Sequence, residues 1–373
     1  MKITNVQARL LKPLTAEQIW RVGFPPNKLQ PILFHVETDE GVRGDFITVF
    51  CPPAQTEQIP AIRQALVGRD PYDVGAIGGI VRGVLAVDFV ISPNAVSSAI
   101  DICLWDILAK RAGVPLYKYL GACRDKIKAY ASIVKHQIQG KPFYDKDRVY
   151  VEEALKCQRE GFTAFKLHAY DIPDEDIRVC RAVREAVGEG MDLMLDPVCM
   201  YSRREAFRVG RALEELDFYW YEDPIPGTDI EGLVDLSRAL DIPIAVGETM
   251  FLGLEYYPQY LTRHAGDIIR IVGEVAGGVT AMLRLAHMCE GFNVNCEPHS
   301  YGTTLSQAAC LHVMLAVSNC DFFELPVPVG FFDFGMKDKI CIAKDGYVYG
   351  PTKPGLGYDL DWDAVENATV KRI

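Results

Sequence analysis

The sequence predicts an α/β fold, a (β/α)8 barrel joined to an α+β domain formed from the N- and C-terminal segments. Three observations carry this. From about residue 127, short apolar strands alternate with amphipathic helices. Three strands in succession end in a carboxylate, each 26 residues from the next, about the length of one strand–helix unit of such a barrel. Residues 1–125 and 336–373 lack that alternation.

In residues 1–125, TNVQARLL and PILFHVETDEG read as strands, the second ending in a turn at DEG. SAIDICLWDILAKRAGVPLYKYLG reads as a long helix. Ile100, Leu104, Ile107 and Leu108 recur at helical spacing, and AGVP breaks the pattern. Residues 126–335 supply the barrel. Its strands are IKAYASI, TAFKLHA, DLMLDP, YWYEDP, IPIAVGE, DIIRIVG, FNVNCEP and DFFELP. Helices such as RVYVEEALKCQREG and DIRVCRAVREAVGEG fall between them. A doubly wound open sheet is the alternative, but no GxGxxG follows a strand. The tail DGYVYGPTKPGLGYDLDWDAV is rich in Gly and Pro and is expected to pack back on the first domain.

Composition narrows the function. A hydrophobic content of 49% over 373 residues fits a globular protein with a sizeable core. No run of about 18 apolar residues predicts a membrane span. The start, MKITNVQARLLKPL, lacks the apolar segment of a signal peptide. Eleven scattered cysteines without a CxxC pair fit reduced thiols in the cytoplasm. The sequon NAT at 367–369 is read as chance in that setting. A net charge of −11 without a basic run argues against nucleic acid, and an anionic substrate would need a local cation.

The carboxylates are Asp196, Glu222 and Glu248. At the C-terminal rim of a barrel they meet, and without a partner they would repel. One acidic residue at a strand end is ordinarily a solvated loop carboxylate. Three in phase point to a metal site, and oxygen ligands suit Mg²⁺, which keeps waters and takes its remaining ligands from substrate. The phase continues to His299, 51 residues past Glu248, and to Glu324, 25 further on. Lys166 lies one unit before Asp196, and His168 is two residues along on the same strand face. Bases around a divalent ion suit removal of a proton α to a carboxylate. An acid then returns a proton or helps a β-hydroxyl leave.

These residues resemble the mandelate racemase and muconate lactonizing branch of the enolase superfamily. The likeness runs through the long cap helix, the KxH of FKLHA, Asp196, Glu222 and Glu248, GGVT after strand six, EPH, and PGLGYDLDWD. It implies a capped barrel, Mg²⁺ on the three carboxylates and acid–base chemistry on a carboxylate substrate. Lys166 and His299 become the strand-two and strand-seven acid or base, and Glu324 the strand-eight group near the substrate carboxylate. The resemblance also implies a homo-oligomer.

Two positions depart from the family pattern. His168 stands where many members have a second lysine, which fits some dehydratases. Val272 stands where an aspartate usually orients the strand-seven histidine, five residues before Gly277–Gly278. Glu274, on the same face if the strand continues, is the candidate replacement and substrate contact. Trp20, Arg21 and Phe24 are candidate lid residues over the substrate, and Lys135 and His136 follow strand one. The expected function is a Mg²⁺-dependent dehydratase of a sugar acid. A racemase, epimerase or cycloisomerase using Lys166 and His299 is the alternative, and a non-catalytic sugar-acid binder is a third reading.

Overall fold

The computed structural model describes residues 1–14, 17–18, 27–86, 94–133, 146–248 and 253–373. Ile3–Leu11 alternates buried and more exposed positions, the pattern of a strand with one face on a core. It belongs to an antiparallel cap sheet ordered Thr369–Arg372, Ile3–Leu11, Ile32–Thr38, Arg43–Thr48. The C-terminal strand thus edges the N-terminal sheet.

Helix Ala95–Ala112 joins cap to barrel. Asn94 caps its start by accepting the Val96 N–H, and Gly113, at φ 72°, ends it in the left-handed conformation. The helix is buried on most of its surface because it packs on Arg43–Thr48 from one side and on helix Gly278–Gly291 from another. Asp101 accepts from the Thr280 hydroxyl at 2.5 Å, and Trp105 Nε1 donates to the same hydroxyl oxygen at 2.9 Å.

Eight parallel strands follow among the described residues. They are Lys126–Ile133, Ala164–His168, Asp192–Asp196, Trp220–Glu222, Ile244–Val246, Ile268–Ile271, Asn295–Pro298 and Phe322–Val327. Strands one to seven pair in sequence, and strand eight pairs with strand one. Strands seven and eight meet through a side chain, with the Phe322 N–H donating to Glu297 Oε2 at 3.2 Å. The sheet is a near-closed barrel, as the alternation of strands and helices predicts.

Tyr130, Ala164, Met194, Trp220, Ala245, Ile268 and Phe322 pack into a floor inside the barrel. Side chains alternate along a strand, so the residue two positions on points the same way. Five of those seven residues are charged, Lys166, Asp196, Glu222, Arg270 and Glu324, and all five are buried. The floor is what lifts them toward the C-terminal mouth.

One stretch of the tail differs from expectation. Tyr347–Tyr349 pairs antiparallel with strand one and extends the barrel sheet instead of lying on the cap. Alternation explains it: Val348 is buried, while the Tyr347 and Tyr349 rings lie 4.3 and 5.3 Å from the Lys126 ammonium. No helix among the described residues is long and apolar enough to cross a membrane.

Candidate active site

The ends of the strands set the site. Directly after Asp196 the chain turns through Val198 and Cys199 at φ 53° and 62°, and directly after Glu222 through Asp223 at φ 35°. A β-branched residue at positive φ is unusual, and such strain gathers at functional sites. The Val198 N–H donates to Asp196 Oδ1 at 2.7 Å, and Asp223 Oδ1 accepts the Gly247 N–H at 3.0 Å. Glu248 lies past its strand, and Gly247 makes the turn that brings it in. Gly247 has φ 105°, and a Cβ there would come within 3.1 Å of the Arg270 carbonyl oxygen.

Oxygens of Asp196, Glu222 and Glu248 lie within 4.8 Å of one another. Lys166 Nζ is 3.0 Å from Glu222 Oε1, 2.9 Å from Glu324 Oε1 and 3.6 Å from Asp196 Oδ2. The Arg270 guanidinium is 2.9 Å from Glu222 Oε1, 2.6 Å from Glu248 Oε2 and 2.8 Å from Glu324 Oε2, and it donates to the Tyr130 hydroxyl at 3.2 Å. Trp220 Nε1 donates to Glu222 Oε2 at 3.0 Å. His168 Nε2 sits 3.5 Å from Asp196 Oδ2, and His299 Nε2 3.6 Å from Glu248 Oε1.

Among the described residues, four carboxylates therefore face two buried cations, an excess of carboxylates over cations. Burial, only partly offset by Arg270 and Lys166, pushes Glu222 up to about 7 and raises Glu248 as well. A divalent cation would remove that excess. The all-carboxylate set of Asp196, Glu222 and Glu248 fits a hard ion such as Mg²⁺. Glu248, His299 and Glu324 form a second close group, but its imidazole nitrogen suits a softer metal.

Burial pulls His299 down to about 4, so its ring is neutral near pH 7. Its edge meets the Phe50 ring at 5.9 Å, and its other side faces Tyr301 at 6.0 Å. Burial alone would also lower the Lys166 ammonium, but Glu222 and Glu324 outweigh it and hold it well above its ordinary range. The Tyr150 hydroxyl takes the His168 N–H at 3.1 Å and fixes the end of strand two.

Lys166, His168, Asp196, Glu222, Glu248, His299 and Glu324 are thus brought together. Trp20, Arg21, Phe24, Lys135 and His136 lie outside the described residues. Glu274 is a correction. The strand ends at Ile271 and Gly273–Ala276 is helical, because the Val275 and Ala276 N–H groups close on the Val272 carbonyl at 3.1 and 3.0 Å. Glu274 therefore turns to the cap and accepts from the hydroxyls of Thr48 and Ser306. His299 Nδ1 is buried with no hydrogen-bond partner among the described residues. Glu274 does not take the place of the orienting aspartate, because its carboxyl is engaged by Thr48 and Ser306 rather than by the imidazole.

Arg270 is the residue that sequence reasoning missed. Its signal was the parity of strand six: a cation two residues before Val272, whose position faces the mouth, must point inward too.

Comparison with known proteins fits this geometry. Residues 26–121 match the family model for the mandelate racemase / muconate lactonizing enzyme N-terminal domain, and residues 149–364 match the enolase C-terminal domain-like model. An arabinonate dehydratase from Saccharolobus solfataricus is 29% identical over 70% of this chain and 69% of its own length. A D-galactarolactone cycloisomerase from Agrobacterium fabrum is 28% identical over 98% of both. The crystal structure of D-glucarate dehydratase from Agrobacterium tumefaciens, complexed with magnesium, is 28% identical. It covers 100% of both chains with a TM-score of 0.86.

Proposed function

The chain belongs to the mandelate racemase / muconate lactonizing enzyme family of the enolase superfamily, and from that premise we propose that it is a Mg²⁺-dependent dehydratase of a sugar acid, an aldonate or aldarate. The observation that carries this reading is one cluster in which Asp196, Glu222 and Glu248 stand between Lys166 and His299. The three carboxylates would hold Mg²⁺, which supplies positive charge against the negative charge that develops on the substrate carboxylate.

The chain's own residues divide the proton work. His299, neutral because it is buried, takes the proton α to the carboxylate. Lys166, which its carboxylate neighbours keep protonated, donates to the departing β-hydroxyl, so that water leaves and a 2-keto acid results. His168, 3.5 Å from Asp196, is a second proton carrier on the Lys166 side. The floor of Trp220, Phe322 and Ile268 closes the site from below and excludes water there. The sugar-acid dehydratases among the relatives support the substrate class.

A second reading has its own support, since the cycloisomerase relative aligns over nearly the whole chain. Lys166 and His299 would then move a proton without loss of water. Incubating the Mg²⁺-loaded protein with a panel of mono- and diacid sugars separates the two. Semicarbazide-reactive keto acid is the expected product. Solvent deuterium entering the α-position, or a lactone opening, with no keto acid formed would favour the second reading and overturn the first.

A further inference from the structure

Arg270 is 1% exposed in the middle of strand six, directly above Ile268 of the floor. A charge at that depth persists only when paired. Its planar fork of five donors lets one group touch three carboxylates, Glu222, Glu248 and Glu324, and still reach Tyr130. A lysine in its place would offer a single nitrogen, whereas the guanidinium reaches Glu222 through Nε, Glu324 through Nη2 and Tyr130 through Nη1. Two of the three are proposed cation ligands, and the guanidinium charge does not titrate.

We propose that Arg270 is a positioning residue of the cation site. It holds Glu222 and Glu248 at ligand spacing, and by cancelling one negative charge it matches the site to a divalent ion rather than a trivalent one. The proposal rests on the Mg²⁺ site inferred above. Removing Arg270 takes one positive charge from beside Glu222, Glu248 and Glu324, and a trivalent ion gains more from that change than a divalent one.

The test uses the full chain, its Arg270→Met and Arg270→Lys variants, and two ions. Mg²⁺ is titrated by calorimetry. Tb³⁺ is titrated by luminescence excited through Trp220, whose indole nitrogen is 3.0 Å from Glu222. Circular dichroism checks folding. Arg270→Met is expected to shift preference toward Tb³⁺ at least about tenfold. Arg270→Lys keeps the charge but not the bridge, so it should weaken both ions by a similar factor. A native-like preference in folded Arg270→Met overturns the charge matching, as does a shifted preference in Arg270→Lys. If Arg270→Met does not fold, the lysine variant decides alone, and unchanged affinity for both ions overturns the positioning role. Native protein that binds neither ion would instead remove the Mg²⁺ site itself.

Discussion

Lys166 and Arg270 rise from strands two and six, four places apart in the eight-strand order, and share one carboxylate. Glu324 Oε1 lies 2.9 Å from the Lys166 ammonium, and Oε2 lies 2.8 Å from the Arg270 guanidinium. Two like charges can be buried in one site because the anion between them answers both. Burial alone would push Glu324 up, but Lys166 and Arg270 outweigh it and hold the carboxyl well below its ordinary range. The site is therefore a lattice of alternating charges, with its excess negative charge on the Asp196, Glu222 and Glu248 side.

Replacing Glu324 with Gln should show how much depends on that shared anion. The shape is kept, but two buried cations lose a partner. Removing one member of a buried ion pair costs about 3–5 kcal/mol. Urea unfolding should report a loss of about 3 kcal/mol, and turnover should vanish. A stability within about 0.5 kcal/mol of native, small enough for an ordinary surface change, would mean that the charges are paired elsewhere.

Much of this was legible in the chain. The 26-residue repeat and two-residue parity are local patterns, so Asp196, Glu222, Lys166 and Glu324 could be read directly. Arg270 obeyed the same parity but hid in the apolar run DIIRIVG. Glu274 was misread because its strand stops early, a turn set by the backbone around Val272 rather than by any side-chain pattern. Its true partner Thr48 is 226 residues away, and Phe50 reaches His299 from the same cap segment. Contacts between distant segments leave no periodic trace.

Separate substitutions of His299 and Lys166 should divide the proton steps. His299→Asn removes the neutral ring, so exchange of the α-proton with D₂O should fall at least about 100-fold. Lys166→Met should keep exchange within about tenfold while keto-acid formation falls at least about 100-fold. Proton NMR follows the first and semicarbazide the second. If Lys166→Met loses exchange and His299→Asn keeps it, the roles are reversed.

Metal dependence should appear in stability as well as activity. An ion that binds only the folded state adds about 2.7 kcal/mol at 100 times its dissociation constant. Mg²⁺ should therefore raise the melting temperature of native protein, and EDTA should reverse the rise along with activity. Glu222→Gln should show little or no rise. An equal rise in that variant would place the ion elsewhere.

Glu274 should matter to the cap rather than to the imidazole. Its carboxyl ties Thr48 to Ser306 across the joint, and the Thr48 oxygen also accepts the Phe50 N–H at 2.9 Å. Glu274→Ala should loosen that edge and raise KM several-fold, with the pH dependence of kcat unchanged. A displaced pH profile would instead tie Glu274 to His299.

His312 lies outside the site and offers a pH test free of the metal. Its ring is fully buried, with Nδ1 accepting the Tyr117 N–H at 2.9 Å and Nε2 facing the Leu356 carbonyl at 3.1 Å. The Tyr117 bond needs the neutral ring, because a protonated Nδ1 cannot accept, whereas the Nε2–H bond to Leu356 is kept in either state. Burial, partly offset by the Leu356 carbonyl, pulls it down to about 4 from 6.5. Between those values the unfolded chain binds the proton more readily than the folded one. Stability from this group is thus present above 6.5 and is lost as pH falls toward 4. Going from pH 7 to pH 5 should remove about 2 kcal/mol through His312 alone. His312→Gln cannot titrate, while the other ionisable groups are common to both proteins and cancel in the difference. Urea unfolding at both pH values should therefore show the variant less stable at pH 7 but losing about 2 kcal/mol less on acidification. An equal loss in both proteins would show that His312 already carries its proton or never takes one in the unfolded chain.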